Sequence, residues 1–212
     1  MTMKIYVLPV GVIGTNCYLA VNDETHEGFI VDPGGDDKLI VKRLAEYGIN
    51  PAAILLTHGH FDHIMAVNEL REAFPQIKVY ASAQEQELLG DPTMNSSMGL
   101  IRSPYTTSAD VLVNDGDKLS IAGTDIEVIA TPGHTRGGVC YYLPEHKHLF
   151  SGDTLFSESY GRTDLPTGNA HLLIESIHRL FELLPDETRV CPGHGEATSI
   201  GYEKRNNPVR ME

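Results

Sequence analysis

Within Thr57-His58-Gly59-His60-Phe61-Asp62-His63, three imidazoles and a carboxylate fall inside six residues. Imidazole titrates near neutrality and is a common metal ligand, and aspartate adds an anionic oxygen for a dication. Alternate residues of an extended segment point the same way, so His58 and His60 can converge on one ion. Asp62 and His63 are adjacent at the start of a following helix and can serve a second ion nearby. Gly59 keeps the packed turn free of a side chain. A purely structural role does not account for so dense a run.

Three further candidate ligands sit singly in glycine-containing corners. They are His134 in Thr131-Pro132-Gly133-His134-Thr135, Asp153 in Ser151-Gly152-Asp153-Thr154, and His194 in Pro192-Gly193-His194-Gly195. Alone, each reads as an ordinary turn residue; beside the first cluster, they complete a donor set. Seven donors exceed one tetrahedral zinc and suit two divalent ions sharing a carboxylate. The expected division is His58, His60 and His134 on one ion and Asp62, His63 and His194 on the other, with Asp153 bridging. Imidazole and carboxylate without thiolate suit zinc, with iron or manganese as alternatives. Two cations roughly 3.5–4 Å apart lower the pKa of a water and yield hydroxide at neutral pH. In that chemistry Asp62 and Asp153 are the catalytic carboxylates, because they hold ions and nucleophile in position.

Each corner follows a strand-like run: Ala52–Leu56, Asp125–Ala130, His148–Phe150 and Thr188–Cys191. Packed side by side in one direction, these strands would bring all four corners to one edge, the usual arrangement for loops on a rigid sheet. Other short β-like runs are Lys4–Leu8, Cys17–Val21, Gly28–Val31, Lys78–Ala81, Val111–Val113, Lys118–Ile121 and Gly138–Leu143. Asp36–Tyr47 has an apolar side of Leu39, Ile40, Leu44 and Tyr47 and closes at Gly48, which predicts a helix. Helices are also expected over Ile64–Phe74, Ala83–Leu89 and Ala170–Leu184. Periodicity fails from Gly90 to Ala109, which is a surface connection or a lid beside the site. Strands with helices between and after them predict stacked sheets covered by helices.

The 212 residues suit one domain, with 41% hydrophobic and 21% charged residues. A formal charge of -13 leaves no basic stripe, so no nucleic acid is expected as partner. Bound dications invert the sign locally, so anionic small molecules are not excluded. No apolar stretch approaches membrane-spanning length and Met1 to Pro9 lacks a secretory pattern, so no membrane association is expected. Three separated cysteines, Cys17, Cys140 and Cys191, form no disulfide framework and fit a reducing, cytoplasmic setting. They read as small core residues. The remaining histidines, His26, His146, His148, His171 and His178, are expected to be solvated.

The His-x-His-x-Asp-His run, with His134, Asp153 and His194 downstream, resembles the metallo-β-lactamase superfamily over nearly the whole chain. That resemblance implies an α/β fold, a four-layer αββα sandwich of two mixed sheets flanked by helices, with a dinuclear site at one edge. Within it, Thr15-Asn16-Cys17-Tyr18-Leu19, Val31-Asp32-Pro33-Gly34-Gly35, Pro132-Gly133-His134-Thr135 and Ser151-Gly152-Asp153-Thr154-Leu155-Phe156 are similar to glyoxalase II and its relatives. The likeness implies hydrolysis of a small-molecule thioester such as S-lactoylglutathione. Only 18 residues follow His194, so the chain looks like the short relatives without a C-terminal helical domain. In Gly161-Arg162-Thr163-Asp164, where family members shape the substrate entrance, Arg162 either pairs with a substrate carboxylate or forms a salt bridge to Asp164. Tyr160 and Phe156 are further substrate-binding candidates. The resemblance leaves an Fe(II) persulfide dioxygenase as the rival enzyme, since those relatives share the framework and an Arg-Thr-Asp stretch. Hydrolysis of another ester or lactone is the second alternative.

Overall fold

The computed structural model describes residues 2–211. Its first sheet runs in the order β1 (Met3–Val10), β2 (Thr15–Asn22), β3 (Glu27–Val31), β4 (Asn50–Leu55), β5 (Lys78–Ser82), β6 (Val111–Val113). The first three strands are antiparallel neighbours, and β3 to β6 are parallel. The second sheet contains β7 (Lys118–Ile121), β8 (Thr124–Ala130), β9 (Val139–Leu143), β10 (His148–Gly152), β13 (Arg189–Pro192) and β14 (Thr198–Ser199). Only β10 and β13 pair in parallel there. A small hairpin, β11 (Leu155–Phe156) with β12 (Ser159–Tyr160), lies between.

Helices are α1 (Asp37–Tyr47), α2 (Phe61–Ile64), α3 (Val67–Ala73), α4 (Gln86–Gly90), α5 (Ala170–Leu183) and α6 (Ile200–Asn206). Three apolar clusters show the layering. Ile40 and Leu44 of α1 and Val67 and Leu70 of α3 pack with Leu19, Ile30 and Ile54 on the outer face of the first sheet. Phe29, Val31 and Leu55 meet Val128, Tyr141 and Phe150 between the sheets. Leu173, Ile177 and Leu180 of α5 cover Cys140, Leu149 and Val190 on the outer face of the second. Side chains alternate across a strand, so each sheet with both faces covered must be apolar on both, as the fully buried β2 and β9 are. This is the αββα sandwich of two mixed sheets.

Three expectations change. The helix expected over Ile64–Phe74 is two, because the chain breaks at Met65 and Ala66, where the Ala66 N–H donates to the Pro33 carbonyl at 2.9 Å. The four corner-bearing strands do not lie side by side. β8, β10 and β13 share one direction in the second sheet, with β9 between the first two, while β4 belongs to the first sheet. Their ends still meet, because Val139 N donates to Thr57 O at 2.9 Å and Asn16 N to Gly193 O at 2.7 Å across the sandwich. Third, α6 has no counterpart in the hydrophobic periodicity. Its N-cap Ser199, which accepts from Tyr202 N, was its sequence signal.

Candidate metal centre

The seven predicted donors come together at this edge of the sandwich. Ligand atoms of His58, His60 and His134 lie within 4.8 Å of one another, as do those of Asp62, His63 and His194 and those of His58, His63 and Asp153. Asp153 stands between the groups: Oδ1 is 3.4 Å from His63 Nε2, and Oδ2 is 3.6 Å from both His134 Nε2 and His194 Nε2. Asp62 Oδ2 is 3.1 Å from His194 Nε2 and 3.3 Å from His63 Nε2. The side chains can approach this closely because the corners carry none of their own at critical points. A Cβ on Gly193 would lie 2.2 Å from Asp153 Oδ1 and 2.7 Å from the His63 ring, and one on Gly34 would lie 1.5 Å from the Asp62 carbonyl oxygen.

Hydrogen bonds around the cluster decide which way each imidazole presents its lone pair. Thr57 Oγ1 donates its one proton to Asp32 Oδ2 at 2.6 Å, so at 3.1 Å it can only accept from His58 Nδ1. His134 Nδ1 faces the Arg162 carbonyl at 2.7 Å and must donate; His63 Nδ1 donates to Asp32 Oδ2 at 3.0 Å. The Nε2 atoms of His58, His63 and His134 are thereby turned inward. His134 Nε2 then stands 3.2 Å from His58 Nε2 and 2.9 Å from His60 Nδ1. The lone pairs of His58 Nε2 and His134 Nε2, both left bare by those outward bonds, repel at 3.2 Å unless a cation lies between them. His63 Nε2 and Asp153 Oδ1 are both buried without a hydrogen-bond partner. Inward nitrogens, opposed carboxylates and orphaned buried atoms fit divalent ions, and the outward hydrogen bonds are the kind that orient metal-ligating histidines.

Charge in the cluster is set by the same neighbours. Burial, then repulsion from the other imidazoles, lowers the pKa of His58 well below normal; burial and His134 take His60 down to about 3. Burial opposes charge on His63 too, but Asp62, Asp153 and Asp32 outweigh it and hold its pKa well above the ordinary imidazole value. Without an ion, His63 therefore carries a proton at neutral pH, and ligation must displace it. Metal loading should release a proton, and apparent affinity should rise with pH through the neutral range. Calorimetric titration of metal into apoprotein, in buffers of differing ionisation enthalpy, reads this release; a heat independent of buffer contradicts it.

Two supporting residues were not singled out by sequence. Asp32, 2% exposed, accepts from Thr57 N at 2.8 Å as well as from Thr57 Oγ1 and His63 Nδ1. Its signal was an acid at a strand end before Pro33-Gly34-Gly35. Glu85, fully buried, accepts from Gly59 N at 2.7 Å through Oε2 and from Gly137 N at 2.8 Å through Oε1. It ties the His58–His63 turn to the His134 corner. Burial raises its pKa against those hydrogen bonds. No spacing marks it, because its partners are backbone groups distant in sequence. Glu85→Gln keeps only one acceptor oxygen and should cost about 1–3 kcal/mol of stability. Urea unfolding measures the loss, and coincident midpoints would exclude this tie.

Above the cluster opens a cavity of about 280 Å³, whose lining includes Ile13, Phe61, Leu100, Phe156, Arg162 and Leu165 together with five of the seven donors, His58 and His63 lying outside it. The Gly90–Ala109 segment forms part of its wall. Asn95 O accepts from Phe61 N at 3.0 Å, and Ser96 and Leu100 line the cavity. Phe156 faces it, but Tyr160 does not line it. Tyr160 is the cross-strand partner of the fully buried Leu155 and packs with it against the α5 side of the core. Cross-strand partners share a face, so Phe156 and Tyr160 point apart. Arg162 lines the cavity, yet its guanidinium is held by Asp164 through two bonds of 2.7 Å. The three cysteines are buried and free, and burial raises their thiol pKa values, to about 11 for Cys140 and Cys191. Of the other histidines, His26 and His171 are exposed, whereas His146, His148 and His178 are partly buried and only His148 and His178 face carbonyl oxygens.

A family model described as the metallo-beta-lactamase superfamily matches residues 10–194. The chain belongs to this superfamily. This chain is a metal-dependent hydrolase of that superfamily. It is 41% identical over 208 residues to the probable metallo-hydrolase YqgX of Bacillus subtilis, covering 97% of each chain. It is 35% identical to the hydroxyacylglutathione hydrolase GloC of Haemophilus influenzae, again over 97% of each. Among solved structures, the BLEG-1 B3 metallo-beta-lactamase superimposes with a TM-score of 0.94 at 43% identity, covering 99% of this chain and 100% of that one. TTHA1623 in a di-iron-bound form superimposes with a TM-score of 0.83 at 34% identity, covering 96% of this chain and 98% of that one. Among the described residues, no helix is long and apolar enough to cross a membrane.

Proposed function

We propose that this metallo-beta-lactamase superfamily member hydrolyses a small-molecule thioester, with a hydroxyacyl thioester such as S-lactoylglutathione as the reference substrate. The observation that carries this reading is the end-to-end similarity to a hydroxyacylglutathione hydrolase in a chain whose seven donors converge beneath a cavity. His58, His60 and His134 would hold one divalent ion, Asp62, His63 and His194 the other, and Asp153 faces both sets. Such a pair supplies Lewis acidity and brings the pKa of water towards neutrality. The protein's part is orientation. Asp32 and Thr57 hold His63 and His58 in one tautomer, the Arg162 carbonyl does so for His134, and Thr15 Oγ1 donates to Asp62 Oδ2 at 2.9 Å. No cysteine takes part, since all three thiols lie buried in the core clusters.

The experiment is a panel of thioester, lactone, phosphodiester and β-lactam substrates, with elemental analysis of protein purified without added metal. Thioester cleavage should exceed the others. Zinc is the expected occupant, and iron is the alternative that the di-iron form of a similar structure favours. β-Lactam hydrolysis is the second reading, favoured by the 43% identity to a B3 metallo-beta-lactamase; faster turnover of β-lactams than of every thioester would replace the first reading with it.

A further inference from the structure

We infer that the substrate portion seated beyond the reacting carbon is an uncharged, apolar group, recognised by apolar contact and not by ion pairing. This inference rests on the thioester reading for its substrate and names the class of its non-reacting part.

Apart from the His and Asp donors, the cavity is walled by Ile13, Phe61, Leu100, Phe156 and Leu165, with Ser96 and Arg162. Ile13 and Leu100 are 55% and 60% exposed. Large apolar side chains left in water at the mouth of a cavity mark a surface built to be covered by ligand. Their position answers what covers them, because the same cavity is floored by His60, Asp62, His134, Asp153 and His194. A molecule whose carbonyl reaches that floor lays its neighbouring atoms against these walls.

Charge recognition is missing from the same walls. Arg162 is the one cationic side chain lining the cavity among the described residues, and Asp164 occupies its fork with both oxygens. That pair uses two of the five guanidinium N–H groups and compensates the charge, so Arg162 presents hydrogen-bond donors but no unpaired cation. A thiol with two carboxylates finds no uncompensated cationic side chain for either of them among the lining residues. An alkyl thiol or alkyl acyl group gains by every methylene it buries.

The test keeps the metal-loaded protein and varies one group at a time. Lactoyl thioesters of ethanethiol, butanethiol and hexanethiol are compared with S-lactoylglutathione, and acyl chains are lengthened on ethanethiol in parallel. In one of the two series kcat/KM should rise about two- to four-fold per methylene, chiefly through KM. Leu100→Ser and Ile13→Ser, at exposed positions, should flatten that rise by raising KM for the long chains. Asp164→Asn frees Arg162 and should shift preference towards S-lactoylglutathione. Calorimetric binding of butanoate, hexanoate and octanoate to the metal-loaded protein, beside glutathione as the charged thiol, reads the walls without turnover. Affinity rising with chain length supports the inference even if no thioester is cleaved, in which case only the reaction assignment fails. Flat chain-length dependence in both series and in binding, or S-lactoylglutathione preferred by wild-type protein, overturns it.

Discussion

Replacing Asp153 with alanine should lower turnover on the order of 10³-fold and reduce the bound metal below that of the wild type. Paired ions supply several kcal/mol of transition-state stabilisation, and each 1.4 kcal/mol is tenfold in rate. Asp153 is the group through which both halves of the centre meet. Its carboxylate lies 3.4 Å from His63 and 3.6 Å from His134 and His194, drawn from three separate segments. The negative charge is firmly held, because burial disfavours it but His63 and the other imidazoles more than compensate and lower its pKa. Alanine leaves His134 facing His63 and His194 without the anion that stood among them, and Asp62 serves only the latter two. Metal content by elemental analysis and kcat on the best thioester should fall together. Full metal content with wild-type turnover would remove Asp153 from the centre.

Asp32→Asn should weaken binding of the ion that Asp62, His63 and His194 would hold by about 10- to 100-fold, the usual effect of losing a partner behind a ligating histidine. The physical cause is a tautomer. The carboxylate accepts from Thr57 N, Thr57 Oγ1 and His63 Nδ1 at once. An amide has a single acceptor oxygen, and its NH₂ can only donate. With that oxygen kept on Thr57 N, the NH₂ faces His63 Nδ1, which must then accept, and the ring proton moves to Nε2, towards Asp62 and Asp153. Asparagine also tolerates the left-handed backbone that Asp32 adopts at φ 50°, so the change leaves the turn unstrained while it removes the charge and one acceptor. Competition against a chelator measures the affinity, and urea unfolding should show a loss of about 1–3 kcal/mol from the disturbed buried network. Unaltered affinity at that ion would mean that Asp32 supports the fold alone. Together the two variants separate a group that faces the ions from one that aims a ligand at them.

The donors themselves were legible because their chemistry is local. His58, His60, Asp62 and His63 crowd one turn, and His134, Asp153 and His194, each an ordinary turn residue on its own, follow strand-like runs and complete a donor set beside that turn. The α1 helix was equally plain, since Ile40 and Leu44 recur on one side and Gly48 ends it in the left-handed conformation at φ 65°. Periodicity could not show that the Ile64–Phe74 run breaks, because the break is made by the Pro33 carbonyl, remote in sequence. The roles of Asp32 and Glu85 stayed hidden for the same reason: each acts on partners about 25 residues or more away, and a buried carboxylate has no spacing of its own. Nor could spacing choose between an open and a paired Arg162, since Asp164 two residues on is available in either case. Residue types and their order along the chain thus determined the layered α/β fold class and the kind of chemistry. Tertiary structure alone decided which nitrogen of His58, His63 and His134 faces inward, and that the cavity walls are apolar. Those properties depend on contacts between segments that only folding brings within hydrogen-bonding distance.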